Sequence, residues 1–172
     1  MKGLFLEEVE IGSEEVLGSY QFTRDAIVGF AKQFDPQPFH VDDEAARRSH
    51  FGALCASGWH TTAAWMKCYV AFNDRHRRER MARGEAIAVI GPSPGFENLR
   101  WPKPVYAGDV ITYRCRMTDK RPLKSRPGWG LLTSVNSGVN QKGESVLSFE
   151  GKVLVQMQMR SALPSPLAGE GK

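Results

Sequence analysis

Over residues 110–118, apolar and polar side chains alternate. Ile111, Tyr113, Cys115 and Met117 lie on one parity and Thr112, Arg114, Arg116 and Thr118 on the other. A period of two marks a strand half buried in a sheet. The same period returns near the C-terminus, where Leu147, Phe149, Val153, Val155, Met157 and Met159 oppose Ser148, Glu150, Lys152, Gln156 and Gln158. Gly151 interrupts the apolar row and marks a bulge or a close backbone approach. Residues 129–139 predict a further strand, and Asn140-Gln141-Lys142-Gly143 the turn after it. Shorter strands are expected over 15–22, from Val16, Leu17, Tyr20 and Phe22, and around Ile87, Val89 and Ile90.

Between these strands the period changes to that of a helix. Thr23 can cap a helix whose first turn holds Asp25 and whose apolar face is Ala26, Ile27, Phe30, Ala31 and Phe34. Pro36 ends it, because the residue before a proline avoids the α region. The stretch Asp35-Pro36-Gln37-Pro38-Phe39-His40 then reads as stiff and non-helical. Asp42 caps a short helix with acids in its first turn and Arg47 and Arg48 in its last, as the macrodipole favours. Ser57 opens a longer one. From Thr61 to Phe72 only Lys67 interrupts a nearly continuous apolar run. A helix apolar all round is buried, and a curved sheet is the natural wrapper. The order of elements is α+β, with one long helix packed on an antiparallel sheet.

The chain of 172 residues suits one domain, expected over 1–162. The Pro- and Gly-rich residues 163–172 are expected to be a disordered tail. No apolar run approaches the ~20 residues of a membrane span, and the N-terminus does not read as a signal peptide. Cys55, Cys68 and Cys115 are odd in number and lack Cys-x-x-Cys spacing. They read as reduced core thiols in a cytoplasmic protein. The net charge of +4 is concentrated in Arg75, His76, Arg77, Arg78, Arg80 and Arg83. This segment is a solvated helix end or a contact for a phosphate-bearing ligand. It has no interleaved aromatics for stacking bases, so nucleic acid is not the expected partner.

Asp35 and His40 lead the residues that could carry chemistry. A carboxylate and an imidazole on one rigid turn can share a water molecule, one taking its proton and the other orienting it. The same residues could instead be a local cap and a satisfied core histidine. Ser57-Gly58 is the second feature. First-turn amides of a helix lack internal partners, carry partial positive charge and can bind a developing oxyanion. A plain N-cap followed by a small residue for packing fits the same letters. His60, in the first turn of the long helix, reads as structural. No metal-ligand spacing, Gly-x-Ser-x-Gly elbow, phosphate loop or dinucleotide fingerprint is present.

Three segments together resemble a known family. Phe34-Asp35-Pro36-Gln37-Pro38-Phe39-His40-Val41-Asp42 resembles the Asp-x-x-x-x-His segment of MaoC-like dehydratases and (R)-specific enoyl-CoA hydratases. Ala56-Ser57-Gly58-Trp59-His60 resembles the start of that family's central helix. The stretch from Leu99 to Asp109 resembles the approach to its later strands. The likeness spans about residues 15–160. It implies a hot-dog fold, in which an antiparallel sheet wraps a long central helix, and a homodimer or higher homo-oligomer with acyl-CoA sites near the subunit boundary. It further implies reversible hydration of a trans-2-enoyl-CoA to a (3R)-hydroxyacyl-CoA. In that reading Asp35 and His40 activate water and the Gly58 amide polarises the thioester carbonyl. Ser57 and Trp59 contact substrate, and no cofactor is needed beyond the coenzyme A thioester. Lys124, Arg126 and the segment near Arg77 are the candidates for the nucleotide end.

The sequence also departs from the family pattern. Ser57 stands where some hydratases have histidine, and Met66 near where some have serine. Trp59, Trp65 and Tyr69 either narrow the acyl pocket or belong to the core. Two rival readings keep the fold. One is an acyl-CoA thioesterase, which would send water to the thioester carbon. The other is a non-catalytic acyl-CoA or acyl-carrier-protein binding module.

Overall fold

The structure, a computed structural model, describes residues 2–158. Met159 and the expected tail over 163–172 lie outside the described residues. The chain builds strand β1 (Glu14–Gln21), helices α1 (Arg24–Phe34), α2 (Pro38–Val41), α3 (Asp43–Arg48) and α4 (Gly58–Ala82), then strands β2 (Gly95–Arg100), β3 (Val110–Pro122), β4 (Trp129–Val139) and β5 (Ser145–Gln156). All pairings are antiparallel, in the order β1-β3-β4-β5-β2. The inner face of the sheet packs on α4, which gives the α+β, hot-dog arrangement that the sequence implies.

The caps fall where the sequence places them. Thr23 Oγ1 accepts from the Ala26 amide at 3.2 Å, and Asp42 Oδ1 accepts from Ala45 at 2.7 Å. Ser57 Oγ accepts from the Trp59 amide at 3.2 Å. Each satisfies one of the orphan donors of a helix start. β3 alternates as expected, with Ile111, Tyr113, Cys115 and Met117 buried. Tyr113 is fully buried, and its hydroxyl donates to the Thr61 carbonyl at 2.9 Å. That bond joins the middle of the sheet to α4. The three cysteines are free and buried.

Three features differ from expectation, and a fourth bears on two readings that the sequence left open. The segment around Ile87, Val89 and Ile90 makes only an isolated bridge, Ile90 to Val155. Pro92 and Pro94 follow it and interrupt ladder pairing. The strand forms later, as β2, an edge strand whose residues are almost all exposed. With no inner row to bury, β2 carries no alternation to read. Secondly, the Asp35–His40 stretch is not wholly non-helical. Pro38 begins the one-turn helix α2, where a missing N–H costs nothing. Thirdly, α4 is not apolar all round in its packing. His60, Thr61, Ala64, Trp65, Cys68 and Phe72 are buried, while Trp59, Met66 and Val70 are about half exposed. Lastly, α4 runs on to Ala82 and takes in the basic segment. There Arg78 pairs with Asp74, Arg80 with Glu8 and Glu85, and Arg83 with Glu85. This favours the solvated helix end over a phosphate contact.

Candidate active site

Asp35 is the C-cap of α1 and His40 sits on the single turn of α2. Between them only Pro36 and Gln37 lie outside helices, so the two side chains are held on short, stiff backbone. His40 Nε2 lies 3.6 Å from Asp35 Oδ2. His40 is buried at 5% exposure, and its Nδ1 lies 2.7 Å from the Cys55 carbonyl oxygen. A carbonyl oxygen can only accept, so Nδ1 carries the proton and donates it. In the neutral ring that leaves Nε2 as a lone pair facing Asp35. Two acceptors then aim at one locus, where a water molecule can donate one O–H to each.

Asp35 is held in its charged form. Burial raises its carboxyl, but hydrogen bonds from Ser57 and Gln37, and the charge of His40 when that ring is protonated, outweigh it, and the carboxyl titrates below its ordinary value. Gln37 Nε2 donates to Asp35 Oδ1 at 2.8 Å. The Ser57 hydroxyl therefore has two duties. It accepts from the Trp59 amide at the start of α4 and donates to the Asp35 carboxylate. This ties the acid to the helix end where Gly58 lies.

Asp35, His40, Ser57, Gly58 and Trp59 line one cleft of about 490 Å³. The structure thus brings five of the expected site residues together. Gly58 is flanked by Trp101, which belongs to the stretch from Leu99 to Asp109 and has no site role in the sequence. A Cβ at Gly58 would lie 2.5 Å from Trp101 Cδ2, so the indole packs directly on the glycine. Trp101 Nε1 donates to Thr62 Oγ1 at 3.2 Å, and Thr62 Oγ1 donates to the Gly58 carbonyl at 3.1 Å. The indole also meets Trp59 edge to face, with centroids 5.3 Å apart. Glycine is required here by close packing, and it also sits at the first turn of a 25-residue helix with its partly positive end towards the cleft.

Lys124 and Arg126 do not reach this cleft. They lie in the turn between β3 and β4, next to the Pro122–Gly130 pair. Gly58 lies with Val146, near the start of β5, at the other end of the sheet, because β4 and β5 run antiparallel with Trp129 opposite Gln156. The Arg126 guanidinium instead rests on the Trp129 ring, 4.7 Å from its centroid. The cation that does line the cleft is Lys103, paired with Glu144 at 2.5 Å. It lies between two prolines, and nothing in its sequence context distinguishes it from other surface lysines. His60, expected to be structural, lies buried in the first turn of α4. It stacks on Phe30 with centroids 4.6 Å apart, and burial pushes its ring down to about 4.

Known proteins resemble this chain in sequence and in fold. The family model described as "MaoC like domain" matches residues 10–129. The uncharacterized protein YdeM of Bacillus subtilis is 32% identical over 151 residues, covering 88% of this chain and 98% of that protein. A 3-hydroxybutyryl-CoA dehydratase of Methylorubrum extorquens is 25% identical over 160 residues, covering 88% of each. Among solved structures, a MaoC-like dehydratase from Rhodospirillum rubrum superposes with a TM-score of 0.75 at 36% identity, over 90% of this chain and 98% of that one. The (R)-hydratase PhaJ1 of Pseudomonas aeruginosa, 18% identical, shares the fold with a TM-score of 0.62 over 96% of both chains. The chain therefore belongs to the MaoC-like domain family.

Proposed function

We propose that this protein is an acyl-CoA hydratase that adds water reversibly to a trans-2-enoyl-CoA and yields a (3R)-hydroxyacyl-CoA. The observation that carries the reading is the pairing of His40 Nε2 with Asp35 Oδ2 at 3.6 Å, in the same cleft as Gly58 at the start of α4. A water donating to both acceptors is oriented and made more nucleophilic. Its oxygen bonds to C3 while a proton passes to the His40–Asp35 pair. The electron pair of the C2–C3 double bond moves towards the thioester oxygen, where the Gly58 amide and the helix end meet the growing charge. The held proton then goes to C2, so that one water is added and the pair is restored. This sequence of steps needs no cofactor beyond the thioester itself.

Further parts of the reading rest on surface features. The nucleotide end of coenzyme A meets Lys124 and Arg126 if a partner subunit brings their turn to the cleft, since Lys103 is already paired with Glu144. The half-exposed Trp59, Met66 and Val70 on α4, with exposed Phe96 on edge strand β2, fit a homodimer closed by twofold pairing. The test is to add crotonyl-CoA to the purified protein and follow both the enoyl-thioester absorbance and free thiol. Loss of absorbance without thiol release is the expected result. Thiol release would make the protein a thioesterase, and thioester binding with neither signal would make it a binding module.

A further inference from the structure

The donor that the hydratase reading needs is a glycine amide, and glycine is the residue least able to hold its own backbone still. A wandering Gly58 would spoil the site, because a misplacement of ~1 Å at a reacting group costs about 10²-fold in rate. The first turn of α4 therefore has to be held from outside. Ser57 Oγ accepts from the Trp59 amide at 3.2 Å, and the Tyr113 hydroxyl donates to the Thr61 carbonyl at 2.9 Å. Neither bond reaches Gly58 itself. Trp101 does, on the side of the glycine that bears no side chain.

The indole fills the space of the missing side chain. A Cβ at Gly58 would meet Cδ2, Cε2 and Cε3 of Trp101 at 2.5, 2.6 and 2.8 Å, so neither a methyl group nor a water molecule fits between them. The indole Nε1 donates to Thr62 Oγ1 at 3.2 Å. An indole N–H can only donate, which leaves the Thr62 proton for a second bond. That bond goes to the Gly58 carbonyl at 3.1 Å. One ring thus grips Gly58 twice, by contact at its α-carbon and, through Thr62, at its carbonyl. The ring is anchored independently of α4. Trp101 directly follows β2, whose Arg100 pairs with Ser148 of β5. Pro102 and Pro104 stiffen the chain after it. Beyond them the Ala56 amide donates to the Val105 carbonyl at 2.8 Å and the Ala107 amide to the Leu54 carbonyl at 3.3 Å.

We propose that Trp101 and Thr62 are positioning residues: the indole, through the Thr62 hydroxyl, holds the Gly58 amide where the thioester oxygen gathers charge. The effect on turnover rests on the hydratase reading, and the holding itself rests on the geometry alone. A donor that matters only as charge develops lowers kcat when it is loosened and leaves KM in place.

Two variants cut the same link. Trp101→Phe keeps a ring beside the glycine and removes the donor, and Thr62→Val keeps the shape and removes the hydroxyl. Labelling with ¹⁵N-glycine, with the Gly58 signal identified by its loss in Gly58→Ala, reads the holding without turnover. The parent amide should show an order parameter near the ~0.85 of rigid backbone, and each variant a lower one, towards ~0.6. With crotonyl-CoA each variant should lose about tenfold in kcat and keep KM within about twofold. The double variant should lose no more than either single one, because the second change has no link left to cut. Thr62→Ser, which restores the hydroxyl, should return both readings to those of the parent. Should Trp101→Phe fail to fold, the contrast between Thr62→Val and Thr62→Ser decides the matter. An unchanged order parameter in the variants, losses that multiply in the double variant, or a rise in KM with kcat unchanged would overturn the proposal. A parent that turns over no enoyl-CoA ends the hydratase reading alone, and the order parameter still decides the holding.

Discussion

Replacing Gly58 with alanine separates the two duties of this position. The new Cβ would lie 2.5, 2.6 and 2.8 Å from three ring atoms of Trp101. The indole cannot easily move aside, because its Nε1 is bonded to Thr62 and its ring abuts Trp59. Forcing one methyl group into a packed site costs about 1–3 kcal/mol. Alanine is the better helix former by up to ~1 kcal/mol in a helix interior. A net loss of about 1–2 kcal/mol is therefore expected, as a lower urea midpoint with an unchanged slope. Trp101→Ala removes the obstacle, so Gly58→Ala should cost little in that background. The resulting double-mutant cycle should show a coupling of about 1–2 kcal/mol. Alanine also keeps the backbone N–H. If the amide is the working group, hydration falls in Gly58→Ala, where the indole is displaced, and returns at least in part in the double variant. A Gly58→Ala protein as stable and active as its parent would refute the packing argument.

Three further outcomes are expected. Ser57→Ala removes the hydroxyl that holds the Asp35 carboxyl below its ordinary value, so the acid limb of the pH–rate profile should move to higher pH; an unmoved limb would show that the Ser57–Asp35 bond has no part in the site. Unfolded His60 binds a proton near pH 6.5, whereas the folded ring stays neutral to about 4, so the unfolded state holds more protons in that window and stability should fall as pH drops through it, by about 3 kcal/mol at most; His60→Phe should flatten that dependence in urea titrations run between those pH values. Thr23→Ala should cost about 1 kcal/mol of stability through loss of the α1 cap, with no change in turnover.

How much of this was legible depended on the kind of signal each residue leaves. Thr23, Asp42 and Ser57 are short oxygen-bearing residues ahead of helical periods, and all three cap. β3 showed itself because one of its faces is buried and the other wet. β2 is an edge strand with no buried row, so it left no pattern, and the apolar residues around Val89 drew attention instead. Pro38 read as a breaker, although at the first position of a helix it starts one. The apolar run along α4 could not show that one side stays open in the single chain. Asp35, His40 and Gly58, which line one cleft, stand in local motifs. The contacts of Gly58 with Trp101 and of Ser57 with Asp35 join residues 43 and 22 positions apart in the chain, and no local pattern records them. Lys124 and Arg126 do not line the cleft of the single chain, and charge alone does not say which end of a sheet a turn occupies.

The most direct test of the central claim compares crotonyl-CoA hydration by the parent protein with that of Asp35→Asn and His40→Ala. A positioned acid or base contributes about 10²–10⁴-fold. Each variant should therefore keep its fold by circular dichroism, still bind the thioester, and lose hydration by at least a hundredfold. Hydration at the parental rate in either folded variant would contradict the assignment of the shared water to Asp35 and His40.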